Sequence, residues 1–161
     1  MEAGRQSGTH KSVSVRRVRA ADMPDIIALD ERVTGLAKPD YWDDVFQRYG
    51  RRRLAERFFL VAEPREANAR TPILGFIIGE VRAWEFGSAP CGWVFALSVE
   101  AQARLHGVGE ALLEAISAEF RKAGMDRMRT MVARDNLLHL KFFRSEGMMA
   151  GPYIQLERAL D

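Results

Sequence analysis

The sequence predicts an α/β fold with a mixed sheet, as opposed to a doubly wound parallel one. Segments with strand character and segments with helical spacing follow one another in the order β, α, α, β, β, β, α, β, α, β. The middle of the chain therefore holds consecutive strands with no helix between them. Parallel neighbours need long crossovers, whereas "PREANARTP" (64–72) and "FGSAPCG" (86–92) are short and rich in turn formers, as hairpin connections are. Length sets the scale: 161 residues, 47% of them hydrophobic, supply one substantial core. No internal repeat or low-complexity linker divides the chain, so residues 13–161 are expected to form a single domain behind a mobile tail, residues 1–12.

Each element follows from a local pattern. "VSVRRVR" (13–19) is rich in β-branched residues and starts the sheet. Asp22 ahead of Met23 and Pro24 has the form of a helix start, a carboxylate at the cap and a proline in the first turn. Ile26, Ile27 and Leu29 supply the apolar side of that helix, and "TGLAKP" (34–39) interrupts it. A second helix carries Trp42, Val45, Phe46 and Tyr49 at helical spacing. "FFLVAE" (58–63) and "ILGFIIGEV" (73–81) read as an antiparallel pair, and "WVFALSV" (93–99) as the next strand. Val108, Leu112, Ala115, Ile116 and Phe120 share one face of a long helix that Gly124 caps. "DRMRTMV" (126–132) is a strand. Asn136 opens a helix bearing Leu137, Leu140 and Phe143 that stops at Gly147, and "YIQLERAL" (153–160) reads as a closing strand.

Composition excludes several classes. Lys and Arg number 24 against 22 Asp and Glu, a formal net charge of +2, which is not the footprint of an obligate nucleic-acid binder. The densest basic run, "RRRLAER" (51–57), reads as a solvated helix end. The single cysteine, Cys91, precludes an intramolecular disulfide and fits a reducing cytoplasm. None of the three histidines (His10, His106, His139) lies near it in sequence, so it reads as a buried thiol, and no metal site is expected. No apolar run reaches membrane-spanning length, and "MEAGRQSGTHKS" lacks the apolar centre of a signal peptide. A soluble cytoplasmic protein is expected, without nucleic-acid or membrane partners.

The most informative stretch is "ARLHGVGEALLEAI" (103–116), where Gly107 and Gly109 stand between a strand and a helix. Three readings of the pair compete. The glycines can serve only to turn the chain tightly. They can begin a dinucleotide fingerprint, but Leu112 stands where its third glycine belongs, and no Gly-Lys-Ser/Thr of a phosphate loop follows. Or they can cradle a diphosphate: the first-turn N–H groups of a helix have no internal partner, and glycines let an anion approach them. Arg104 and His106 would then add positive charge at the rim.

"LSVEAQARLHGVGEALL" resembles the signature of the GNAT superfamily of acyl-CoA-dependent N-acyltransferases, a strand followed by Arg/Gln-x-x-Gly-x-Gly/Ala and an amphipathic helix. Arg104, Gly107 and Gly109 fall on its defining positions. A second block, Asn136, Phe142, Phe143, Gly147 and Met148, matches the family's Asn…Phe-Tyr…Gly-Phe spacing. The resemblance implies a mostly antiparallel central sheet with helices on both faces and a splayed parallel pair, 93–99 and 126–132. It implies acetyl-CoA as acyl donor, with the diphosphate on the turn formed by Arg104, Leu105, His106, Gly107, Val108, Gly109 and Glu110. The pantetheine arm would lie along Leu97, Ser98 and Val99, near a bulge that opens the splay, and would meet Asn136 and Phe142.

By the same resemblance, an amine attacks the thioester directly in a ternary complex, and the Leu97 N–H steadies the developing oxyanion. The usual proton-donating tyrosine is Phe143 here. His139, one turn earlier on the same helix face, is the alternative donor or a space-filler beside the cofactor. A glutamate common on the strand before the glycine turn is replaced by Trp93, leaving Glu80, in the apolar setting of "FIIGEV", as candidate base with a raised pKa. The acceptor is expected to be a primary amine of a small molecule, peptide or protein, gripped by 33–42 and 82–90, where Trp42, Trp84 and Phe86 are candidate groove residues. Exposed sheet edges would permit a homodimer, which the sequence does not establish. A binding module that senses acyl-CoA without catalysis is the rival reading.

Overall fold

The computed structural model describes residues 12–161; of the expected tail, all but Ser12 lies outside them. The chain forms a larger unit running to Thr130 and a smaller one, Met131–Asp161. Strands β1 (Val13–Arg17), β2 (Arg57–Pro64), β3 (Gly75–Arg82), β4 (Cys91–Val99) and β5 (Met128–Thr130) form a five-stranded sheet in sequence order. The first three pairings are antiparallel and β4–β5 is parallel, joined by the crossover helix α3, Val108–Lys122. The mixed sheet predicted from the consecutive strands is present.

Strand alternation sends successive side chains to opposite faces, and each face finds its own helices. On one side Phe59, Val61, Phe76 and Ile78 pack with Met23, Ile26 and Leu29 of α1 (Met23–Thr34) and with Trp42 and Val45 of α2 (Pro39–Val45). A π-helical turn, Phe46–Gly50, continues α2 and buries Phe46 and Tyr49 in the same cluster. On the other side Val108, Leu112, Ile116 and Phe120 of α3 are buried, and Phe120 meets Phe58 edge-on at 5.5 Å between ring centroids. Each such side chain contributes about 1.5–3 kcal/mol by leaving water. Gly79 makes the close approach of α3 possible: a Cβ there would stand 2.5 Å from the Trp93 carbonyl oxygen and 2.9 Å from both Ile116 Cδ1 and Phe120 Cζ.

Three local expectations need correction. Asp22 precedes α1 but does not cap it through its side chain; the carboxylate takes hydrogen bonds from Arg16 at 2.8 and 2.9 Å and from the Arg19 amide at 2.7 Å. The charged partner outcompetes the helix end. Strand 126–132 shortens to Met128–Thr130. The closing strand over 153–160 is not formed: no described strand pairs with this segment, and Ile154, Leu156 and Leu160 are exposed. Alternation marks a segment that can form a strand, but only a ladder partner makes one.

Candidate active site

The parallel pair ends abruptly. β5 matches β4 where Gly92, Trp93 and Val94 pair with Met128, Arg129 and Thr130 in turn, while β4 runs on to Val99 beside β3. At that point Ile78 pairs with Ala96 but Gly79 with Val94, so Phe95 is an extra residue, a bulge, in β4. The bulge reverses which way backbone groups point. Before it, the Gly92 amide donates to Arg127 and the Val94 carbonyl accepts from the Thr130 hydroxyl at 2.8 Å, both on the β5 side. Beyond it, the Glu100 amide donates to Leu74 O at 2.8 Å on the β3 side. Alternation then turns the N–H and C=O of Leu97 and Val99 to the edge that β5 has left, and those of Ser98 inward to β3.

The glycine turn follows directly. Gly107 stands at the N-cap of α3 with φ 75 and ψ 14, the left-handed region that a side chain disfavours. It has no side-chain oxygen to cap the helix, and the first rung comes only when Ala111 N–H donates to Gly107 O at 3.0 Å. The amides of Val108, Gly109 and Glu110 precede that rung. Val108 is buried and anchors the turn, whereas Arg104, Leu105, His106 and Glu110 are exposed. The Arg104 Nε–H donates to Val99 O at 3.3 Å, tying the turn to the open edge of β4. Left-handed glycine, a helix start without a side-chain cap and a strand edge that β5 has left fit a ligand combining an anionic group with an extended, amide-bearing arm.

Glu80 does not sit in an apolar setting. Its Oε1 lies 3.3 Å from Arg82 Nε and its Oε2 3.8 Å from Arg57 Nε, and its side chain is half-buried. It is the cross-strand partner of Trp93, whose ring lies under the Arg82 guanidinium at 4.8 Å. Sequence reasoning read Tyr49 only as core, yet it joins this group. Burial and then the negative charge of Glu80 push its pKa above 10.0. Its ring meets the bulged Phe95 at 5.0 Å and lies under Arg57 at 5.1 Å. A lone hydroxyl on an apolar helical stripe gave no signal of this.

The remaining expected residues belong to the smaller unit. Asn136 caps α4 (Leu137–Ser145), its Oδ1 accepting from the His139 amide at 3.1 Å, and its Nδ2 lies 3.3 Å from His139 Nδ1. His139 and Phe142 are half-buried, and Phe143 is buried between them, with ring centroids 6.1 and 5.3 Å away. Leu137, at the start of that helix, is exposed. Of the candidate groove residues, Trp42 is core, its Nε1–H bonded to Asp30 at 2.9 Å, while Trp84 and Phe86 stand in solvent on the β3–β4 connection.

Comparison with known proteins agrees with this architecture. The protein has the fold of an aminoglycoside N-acetyltransferase, AAC(6')-Iy, solved with CoA: TM-score 0.76, 15% identity, covering 91% of this chain and 94% of that one. An aminoglycoside 6'-N-acetyltransferase from Acinetobacter baumannii superposes with TM-score 0.75 at 12% identity, covering 92% and 99% of the respective chains. Glucosamine-6-phosphate N-acetyltransferase from Arabidopsis thaliana does so with TM-score 0.69 at 17% identity, over 94% and 100%. No curated protein matches the sequence significantly. The profile of the Acetyltransferase (GNAT) family matches residues 23–148, a span that takes in both helical faces of the sheet, the bulged strand and the glycine turn, so the chain belongs to the GNAT acetyltransferases.

Proposed function

We propose that this acetyltransferase uses acetyl-CoA to acetylate a primary amine of a small molecule. The observation that carries the reading is continuity: the open edge at Leu97 and Val99 runs straight into the turn that Gly107 delivers to the start of α3. Such a path suits a coenzyme whose arm pairs with a strand and whose diphosphate needs backbone donors. Acetyl-CoA supplies an activated acyl group as a thioester. The amine nitrogen forms a bond to the carbonyl carbon, the carbon–sulfur bond breaks, and the amine's proton passes to Glu80 directly or through water. The Leu97 amide donates to the carbonyl oxygen as negative charge builds there, a contribution of roughly 3 kcal/mol for donors of this kind.

Arg104, Leu105, His106, Val108, Gly109 and Glu110 belong to the same proposal as coenzyme contacts, as do Asn136 and Phe142 by family motif, whereas Ser98 turns its backbone groups to β3 and is left out. His139 is the proposed proton source for the departing thiolate. Trp84 and Phe86, exposed beside the end of β3, are the proposed acceptor contacts. Aminoglycosides and amino sugars, acted on by the structural neighbours, head the acceptor panel. Among the described residues no helix is long and apolar enough to cross a membrane.

A buried Phe143, which has no proton to give, favours a second reading: a module that binds acyl-CoA and turns it over poorly. Calorimetry with acetyl-CoA, followed by thiol release in the presence of an amine panel, tests both. Heat of binding with amine-dependent release supports the enzyme, heat without release supports the binding module, and no heat removes both.

A further inference from the structure

Resting on the role proposed above for Glu80, we infer that the acceptor carries an oxyanion, a carboxylate or a phosphate, a few bonds from its amine, and that Arg82 receives it. The observation is a guanidinium held at one end and open at the other. Arg82 comes closest to both nearby carboxylates through Nε, which lies 3.3 Å from Glu80 Oε1 and 3.9 Å from Glu85 Oε1. Its only side-chain hydrogen bond among the described residues is the one from Nε to Glu80, so neither Nη group is used. The guanidinium rests over the Trp93 ring, 4.8 Å from the centroid. Tethered and stacked in this way, its outer fork has the form that takes two oxygens of one anion.

Strand order puts the fork in line with the chemistry. Ile78, Glu80 and Arg82 alternate onto one face of β3, the face whose Ile78 packs in the core with α1 and α2. The π-helical turn after α2 ends at Gly50, and Glu80, Arg82, Trp93 and Arg129 are only half-buried. Along β4 come Leu97, the proposed oxyanion donor, then Trp93 opposite Glu80, then Cys91 opposite Arg82. An amine between Leu97 and Glu80 therefore has Arg82 behind it, on the side away from the thioester. Two residues of strand span about 6–7 Å, which a few bonds cross.

Charge favours an acceptor with both signs. Arg57 Nε lies 3.8 Å from Glu80 Oε2, and Arg129, the cross-strand partner of Trp93, donates from Nη1 to Ser88 Oγ at 2.7 Å. Around Trp93 stand Arg57, Arg82 and Arg129 with Glu80 and Glu85. A polycation such as an aminoglycoside would reach Glu80 only by facing those guanidiniums. An amine with its own oxyanion matches the Glu80–Arg82 pair charge for charge.

Thiol release with paired acceptors tests this. Alanine against alaninamide and phenylalanine against phenylalaninamide report on a carboxylate, glucosamine 6-phosphate against glucosamine on a phosphate, and an aminoglycoside serves as the polycation. At least one anionic member is expected to exceed its neutral partner in kcat/KM by about tenfold or more. Arg82→Gln should erase that ratio chiefly through KM, with the Kd for acetyl-CoA within about twofold of wild type. Arg82→Lys keeps the charge without the fork and should keep part of the ratio. A merely structural Arg82 would lower both members of a pair alike. Preference for the neutral or polycationic acceptors, or a ratio that survives Arg82→Gln, overturns the proposal.

Calorimetry separates this inference from the reading beneath it. If acetyl-CoA binds but no amine releases thiol, the catalytic reading fails, and the same amino acids and amino-sugar phosphate are titrated into the CoA complex. If acetyl-CoA gives no heat, they are titrated into the free protein. In either case heat that Arg82→Gln abolishes supports the oxyanion site, and absence of heat overturns it.

Discussion

The amide of Glu100 donates to the carbonyl of Leu74 at 2.8 Å, and that bond determines what the outer edge of β4 presents. Cross-strand partners two residues apart repeat the same orientation, so Ser98 and Ala96 also face β3 while Leu97 and Val99 face away. Without the extra residue at Phe95 the parity would be opposite, and the edge would offer Ser98 in place of Leu97.

Replacing Gly107 by alanine places a Cβ in a left-handed conformation. A stability loss of about 1–2 kcal/mol is expected in urea titration. Calorimetry should show a larger proportional loss of acetyl-CoA affinity than of stability, because the strained turn aims the first amides of α3. Wild-type affinity in the folded variant would separate the turn from coenzyme binding.

Glu80→Gln tests the base. Turnover at neutral pH should drop by at least about tenfold while coenzyme affinity stays near wild type. The amide keeps the shape but cannot take up a proton. Unchanged turnover removes Glu80 from the mechanism.

Gly79→Ala probes packing away from the chemistry. The added methyl would meet a backbone oxygen at 2.5 Å and has Ile116 and Phe120 beside it, so α3 must shift outward. Overpacking of this kind costs about 1–3 kcal/mol, and the urea midpoint should fall accordingly. A midpoint equal to wild type would mean that the sheet and α3 are not this closely apposed.

Asp22 governs acid stability. Burial works to raise its pKa, but the hydrogen bonds from Arg16 and the Arg19 amide, with the Arg16 charge, hold it below 3.8. A carboxyl depressed in the folded state stabilises fully above its unfolded value. That contribution should shrink as pH falls below 3.8 and vanish once pH passes the folded value. Asp22→Asn should cost roughly 1.5–3 kcal/mol at neutral pH and flatten the acid limb of the stability curve. Parallel acid limbs for both proteins would refute the assignment.

Much of this was legible one residue at a time. The apolar stripe of α3, the glycine ahead of it and the asparagine that opens α4 are short-range patterns, and their physics is local: side-chain period, left-handed φ and an amide needing an acceptor. The misread segment 153–160 shows the boundary, since period two records only which residues would share a face. Asp22 shows it too, because its helix-capping pattern is local but Arg16 lies on another element.

The sequence by itself determined the element types, most of their order and the glycine turn, because each rests on forces acting across a few residues. Only the tertiary structure decided that Leu97 and Val99 face an open edge, that Glu80 lies between Arg57 and Arg82, and that Tyr49 reaches Phe95. Those relations depend on strand register, and one bulged residue changes register without leaving a mark in the amino-acid pattern.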